Sequence, residues 1–68
     1  MGKTALNKGF ELCWYEHQAI GLRASVHQAY RHWSDNQLLA AQAAGVVRVN
    51  GVVELAERAL QPGDRVCV

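Results

Sequence analysis

Cys13 and Cys67 are the only thiols in the chain, and His17, His27 and His32 the only imidazoles, so metal or nucleophilic chemistry has to be built from these. His27 and His32 are five positions apart, about 140° around a helix, too far round to chelate one ion together. Solvated imidazoles and no metal site are the expectation. No general base or oxyanion donor can be assigned to either cysteine, so a catalytic thiol is not expected. Glu54, Glu57 and Asp64 are scattered among turn residues and lack the pairing that general acid–base work demands. Trp14, Tyr30 and Trp33 fall at spacings that bury them in a strand and a helix, which favours core over a stacking platform. Gly2-Lys3-Thr4 looks like the end of a phosphate-binding loop, but no glycine-rich run or strand leads into it. These residues predict no catalytic residue, no cofactor and no small-molecule substrate: a protein that is not an enzyme.

Bulk properties point the same way. A 68-residue chain forms one domain, and a domain this small buries only about 60% of the surface its unfolded chain exposes. That leaves little room for a deep cleft. Seven Lys/Arg against six Asp/Glu give a net charge of +1, a balance that leaves no overall electrostatic footprint for nucleic acid or an anionic membrane and leaves a local patch open. Neither a signal peptide nor a run long enough to span a bilayer is visible. Two cysteines are too few for a disulfide-framed secreted scaffold, so a cytoplasmic protein with reduced thiols is expected.

The elements that must position these residues read as follows. Residues 1–9 are polar and glycine-bearing and predict a flexible leader, with a single domain over 10–68. Phe10, Leu12 and Trp14 alternate with Glu11, Cys13 and Tyr15, a strand with one buried side. Ala19 to Ala24 alternates again, which predicts the returning arm of a β-hairpin. Ser25-Val26-His27-Gln28 fits a capping box, and Val26, Ala29, Tyr30 and Trp33 then follow as one apolar stripe. Ser34-Asp35-Asn36-Gln37 repeats the capping chemistry before an Ala/Leu-rich helical run that Gly45 is placed to end. One broken helix and two short ones both fit. Val46 to Val49 and Val52 to Leu55 read as strands around the tight-turn dipeptide Asn50-Gly51. Pro62-Gly63 is a further turn, and Arg65 to Val68 a last strand.

Strand, return, helix and further strands make an α+β order, and the motifs along it resemble a known group. Val46 to Gly51 followed by Gly63-Asp64-Arg65-Val66 resembles β-grasp (ubiquitin-like) proteins of the RnfH, TGS and ThiS/MoaD-like group. Phe10-Glu11-Leu12-Cys13-Trp14-Tyr15 and Ser25-Val26-His27-Gln28-Ala29-Tyr30 are similar to the first strand and helix start of RnfH-like proteins. The resemblance implies a small β-grasp domain, a β-hairpin then a helix then two or three further strands in a mixed sheet. Sulfur-carrier chemistry is not expected, because the chain closes on Val66-Cys67-Val68 and not on Gly-Gly. A second resemblance is to RNA-binding domains of the ribosomal-protein-S-four type. Ser34, Gly45, Val47, Val49, Asn50, Gly51 and Pro62-Gly63-Asp64 match its helix start, hairpin and later turn. That family reads RNA with basic residues on a helix pair, whereas residues 34–45 carry no Lys or Arg and Gln42 stands at an apolar position.

In a β-grasp sheet the first and last strands are parallel neighbours, and the alternation then sends Cys13 and Cys67 to the same outer face. Two unpaired thiols are the default in a reducing compartment, with a thiol pair, a disulfide or a partner-covered patch left open. With Tyr15, Arg48 and Arg65 these cysteines outline a possible interaction face. The expectation is a small accessory module that contacts an unidentified protein partner through its open sheet face, with an RNA-binding module as the alternative and no membrane.

Overall fold

The computed structural model describes residues 12–68, so the leader over residues 1–9 and the first positions of the opening strand lie outside the described residues. Its elements are β1 (Cys13–Tyr15), α1 (Leu22–Ala29), α2 (Asp35–Ala43), β2 (Arg48–Val49), β3 (Val52–Val53) and β4 (Arg65–Cys67). The strands form one sheet in the order β1-β4-β2-β3, and every pairing is antiparallel. The fold class is α+β.

Two features depart from the expected hairpin–helix order. The segment read as a returning strand, Ala19 to Ala24, turns into α1 at Leu22. Leu22, Ser25 and Val26 are its buried residues, an i, i+3, i+4 stripe, so helical period outweighs a short alternation that Ile20 and Leu22 alone carry. Ser25 therefore lies inside the helix and does not cap it; the N-cap is Gly21. Ala29, expected on the apolar stripe, is exposed. The second departure is direction. β1 pairs β4 antiparallel, with Cys13 opposite Cys67 and Trp14 opposite Val66, where parallel neighbours were expected. The sheet is accordingly antiparallel throughout, not mixed.

Local signals hold elsewhere. The helical region is two helices, and α2 starts at the capping box: Ser34 Oγ accepts from Gln37 N, while Gln37 Oε1 accepts from Ser34 N. Gly45, at φ +78°, follows the C-cap Ala44. Asn50 and Gly51 both have positive φ, +52° and +84°, the geometry of a two-residue hairpin whose twist suits its strands. Pro62 and Gly63 (φ +97°) form the next turn, closed by Asp64 N donating to Gln61 O.

One apolar cluster fills the space between helices and sheet. Leu22 and Val26 from α1, Leu38 from α2, Val49 from β2 and Val66 from β4 meet Val47 and Leu60. Trp14, Tyr30 and Trp33 are partly buried against it, with the Tyr30 and Trp33 rings 4.4 Å apart and the Trp14 and Tyr30 rings 6.5 Å apart. The aromatic residues belong to the core's edge. Tyr30 Oη donates to Val68 O at 3.0 Å, tying the end of α1 to the last residue, and burial raises the pKa of its phenol.

Candidate functional site

The strand register assigns the expected interaction face. Cys13, Cys67, Arg48 and Val53 stand in one row across the sheet, and Tyr15 and Arg65 stand opposite each other two positions along. All five residues of the expected face thus share the side of the sheet turned away from Trp14, Val66 and Val49. Tyr15 is 62% exposed and Val53 45%. The cysteines are not the separate thiols taken as the default: Cys13 and Cys67 form a disulfide, with Cα atoms 4.1 Å apart. Leu12 and Val68 exchange both backbone hydrogen bonds, so the adjacent Cys13–Cys67 pair is a non-hydrogen-bonded one, where facing side chains come closest. Antiparallel register makes that contact. Arg65 Nη2 lies 3.8 Å from Cys13 Sγ at the exposed side of the pair.

On the opposite flank, α1 and α2 enclose a groove of about 420 Å³ lined by Arg23, Ala24 and His27 from the first helix and Asp35, Leu38 and Leu39 from the second. Its cation is anchored by α2 and, through it, by the loop that follows β3. Arg23 Nε donates to Gln42 Oε1 at 3.1 Å, and Gln42 Nε2 passes the connection to Ala56 O at 2.7 Å. Gln42, which looks misplaced in an apolar pattern, is 2% exposed and hydrogen-bonded at both ends of its amide. The N-terminus of α1 has no side-chain cap of its own; Glu57 Oε1 accepts from Arg23 N, and Arg58 O accepts from Leu22 N. Gly21 suits this closure, because a Cβ there would meet the Glu57 carboxylate.

A buried polar chain locks β1 to α1. Trp14 Nε1 donates to Ser25 Oγ at 2.9 Å, and the Ser25 hydroxyl donates to Glu16 Oε1. Glu16 Oε2 accepts from the backbone N–H groups of His17 and Gln18. The Ser25 hydrogen bond, ahead of those backbone donors, holds the Glu16 pKa below the usual carboxylate value, although burial opposes it. Ser25 is 1% exposed, so this serine–carboxylate pair is closed to substrate.

The other carboxylates also serve the frame. Glu54 pairs with Arg58 at 2.9 Å. Asp64 accepts from Gln61 N and from Asn50 Nδ2, contacts that lower its pKa in that order, and Asn50 Oδ1 accepts from Arg65 N. The Asn50-Gly51 and Pro62-Gly63 turns are thereby fastened to each other. Among the described residues no group of three or more His, Cys, Asp or Glu is placed to hold a metal ion, and no helix is long and apolar enough to cross a membrane. The groove was not legible beforehand. Arg23 and His27 share a helix face only once the helix begins at Leu22.

Compared with known proteins, the chain matches no family model, no curated protein and no solved structure at a significant level.

Proposed function

We propose that the domain is an RNA-binding module of the ribosomal-protein-S-four type, working through the helix-pair flank. The observation that carries this is the helix pair itself. α1 packs on α2 across a short connection, and the Asn50-Gly51 hairpin and Pro62-Gly63-Asp64 turn follow in the order of that resemblance. Arg23 and His27 line the groove between these helices, and Arg31 and His32 lie exposed in their connection. Arg23 and Arg31 place two cations on this helix pair, where residues 34–45 carry none. The β-grasp reading has less support, because a helix occupies the place of its second strand and its first and last strands run antiparallel.

A second reading, protein contact through the open sheet face, draws support from Tyr15, Arg48 and Arg65 sharing that face with the disulfide and the exposed Val53. In either case the composition favours a cytoplasmic, non-enzymatic protein.

RNA binding measured between 50 and 200 mM salt tests the first reading. Two or three phosphate contacts give a slope of log K against log salt of roughly −1.4 to −2 for a single strand, and Arg31→Ala lowers it by about one contact. Backbone amide shifts that move at Arg23, His27 and Arg31 support it. Salt-independent affinity, or shifts confined to β1 and β4, defeats it in favour of the open face.

A further inference from the structure

The groove between α1 and α2 brings opposite charges together without letting them meet. Arg23 and Asp35 both line it, yet among the described residues the ion pair drawn by distance is Glu54–Arg58, and no salt bridge or hydrogen bond joins Arg23 to Asp35. Arg23 spends Nε on Gln42, which fixes the guanidinium and leaves its two terminal NH₂ groups for a ligand. Asp35 sits in the first turn of α2, where the capping box is completed by Ser34 and Gln37 and makes no call on its carboxylate. Ala24, the buried Leu38, the half-exposed Leu39 and the His27 imidazole line the same groove. The groove therefore offers a fork of donors, a pair of acceptors and an apolar lining in about 420 Å³, within the range of small-molecule sites.

We propose that this groove takes one unpaired guanine base of an RNA strand, an assignment that rests on the RNA-binding reading above. Guanine carries two adjacent acceptors, O6 and N7, on its Hoogsteen side and two adjacent donors, N1–H and N2–H₂, on its Watson–Crick side. Arginine is the side chain that pairs with the former in bidentate fashion, and a carboxylate is acceptor-only and matches the latter. The aliphatic residues and the imidazole meet the base's faces, as histidine does in single-strand recognition. Adenine offers no adjacent donor pair to the carboxylate, and uracil has a single ring N–H. Cytosine satisfies the carboxylate through N4 but has a smaller face and no N7.

Fluorescence anisotropy of the full chain with labelled heptamers UUUGUUU, UUUAUUU, UUUCUUU and UUUUUUU tests this. The G heptamer is expected to bind about tenfold tighter than the A heptamer, the scale of one good bidentate base contact. Asp35→Asn, which keeps shape and a polar first turn, is expected to bring that ratio to within about twofold. A general charge effect strengthens all four heptamers alike and leaves the ratio where it was; that result overturns the site. Equal binding of G and A, or a preference for C, overturns the guanine assignment and leaves RNA binding standing. Failure to bind any heptamer or longer RNA overturns both.

Discussion

On the sheet side, the Asn50-Gly51 turn joins the two strands it sets in register, β2 and β3, and the Pro62-Gly63 turn leads directly into β4. On the helix side, the N-terminus of α1 is finished by Glu57, 34 positions away, and its groove cation is steadied by Gln42, 19 positions away. The β2–β3 hairpin is assembled from instructions read within a few residues, and β4 and β1 then join it from farther along the chain. The helix flank exists only when distant segments have met. A molecule divided this way starts its frame from a local hairpin, while the flank that carries the candidate site depends throughout on tertiary contact and is correspondingly sensitive to substitution outside the site. Glu16 joins the two. Its backbone donates to Asp64 O and accepts from Gly63 N, while its carboxylate receives the Ser25 hydroxyl of α1.

The largest effect that sharpens the contrast is expected at the disulfide. Cys13–Cys67 closes a separation of 54 positions and pins the sheet's edge strand. Reduction, or Cys13→Ser with Cys67→Ser, is expected to lower stability by about 2–4 kcal/mol, read from urea melts followed by tryptophan fluorescence. The helix flank lies on the other face, so amide shifts at Arg23 and His27 are expected to stay in place in the folded, reduced protein. If they move as much as those of β1, the two regions are not separable.

Next comes the joint. Glu16→Ala removes the acceptor for Ser25 and for two backbone donors and is expected to cost roughly 1–3 kcal/mol. Its titration gives the sign of the acid response. The folded pKa lies below the ordinary 4.5, so the contribution is complete above that value and is lost as pH falls through the lower, folded pKa. Melts between pH 2 and 6 should show wild-type stability falling below about pH 4.5, with a shallower fall in Glu16→Gln. An identical acid slope in both proteins removes Glu16 from the account.

The smallest effect tests the remote cap. Glu57→Ala strips the acceptor from Arg23 N and is expected to cost about 0.5–2 kcal/mol, with faster amide exchange confined to the first turn of α1. Unchanged exchange there shows that water replaces the carboxylate without loss.

Much of this architecture was legible in particular residues. The Ser34–Gln37 box, the Gly45 stop, the paired positive-φ turn at Asn50-Gly51 and the valine-rich runs on either side of it each carry a short-range signal, and each element is found close to its expected place. The common face of Cys13, Tyr15, Arg48, Arg65 and Cys67 was also legible, because side-chain alternation fixes a face whatever the direction of the neighbouring strand. Strand direction was not. Whether β4 runs with or against β1 depends on the path taken between them, which no local pattern records.

The start of α1 escapes local pattern for a related reason. Ile20 and Leu22 alternate, and Ser25 looks like a cap, but Ile20 O accepts from Leu60 N, Leu22 N donates to Arg58 O, and Glu57 fills the cap from outside. Local chemistry by itself determined the turns, the second helix and the side of the sheet on which each residue stands, since these depend on φ preferences and on a period of two. Tertiary structure alone decided that Cys13 meets Cys67 across antiparallel strands, that Gln42 is a satisfied core residue, and that Arg23 and Asp35 face one groove. Each of those needs a partner far along the chain, and only packing brings such partners within the few ångströms over which hydrogen bonds and disulfides act.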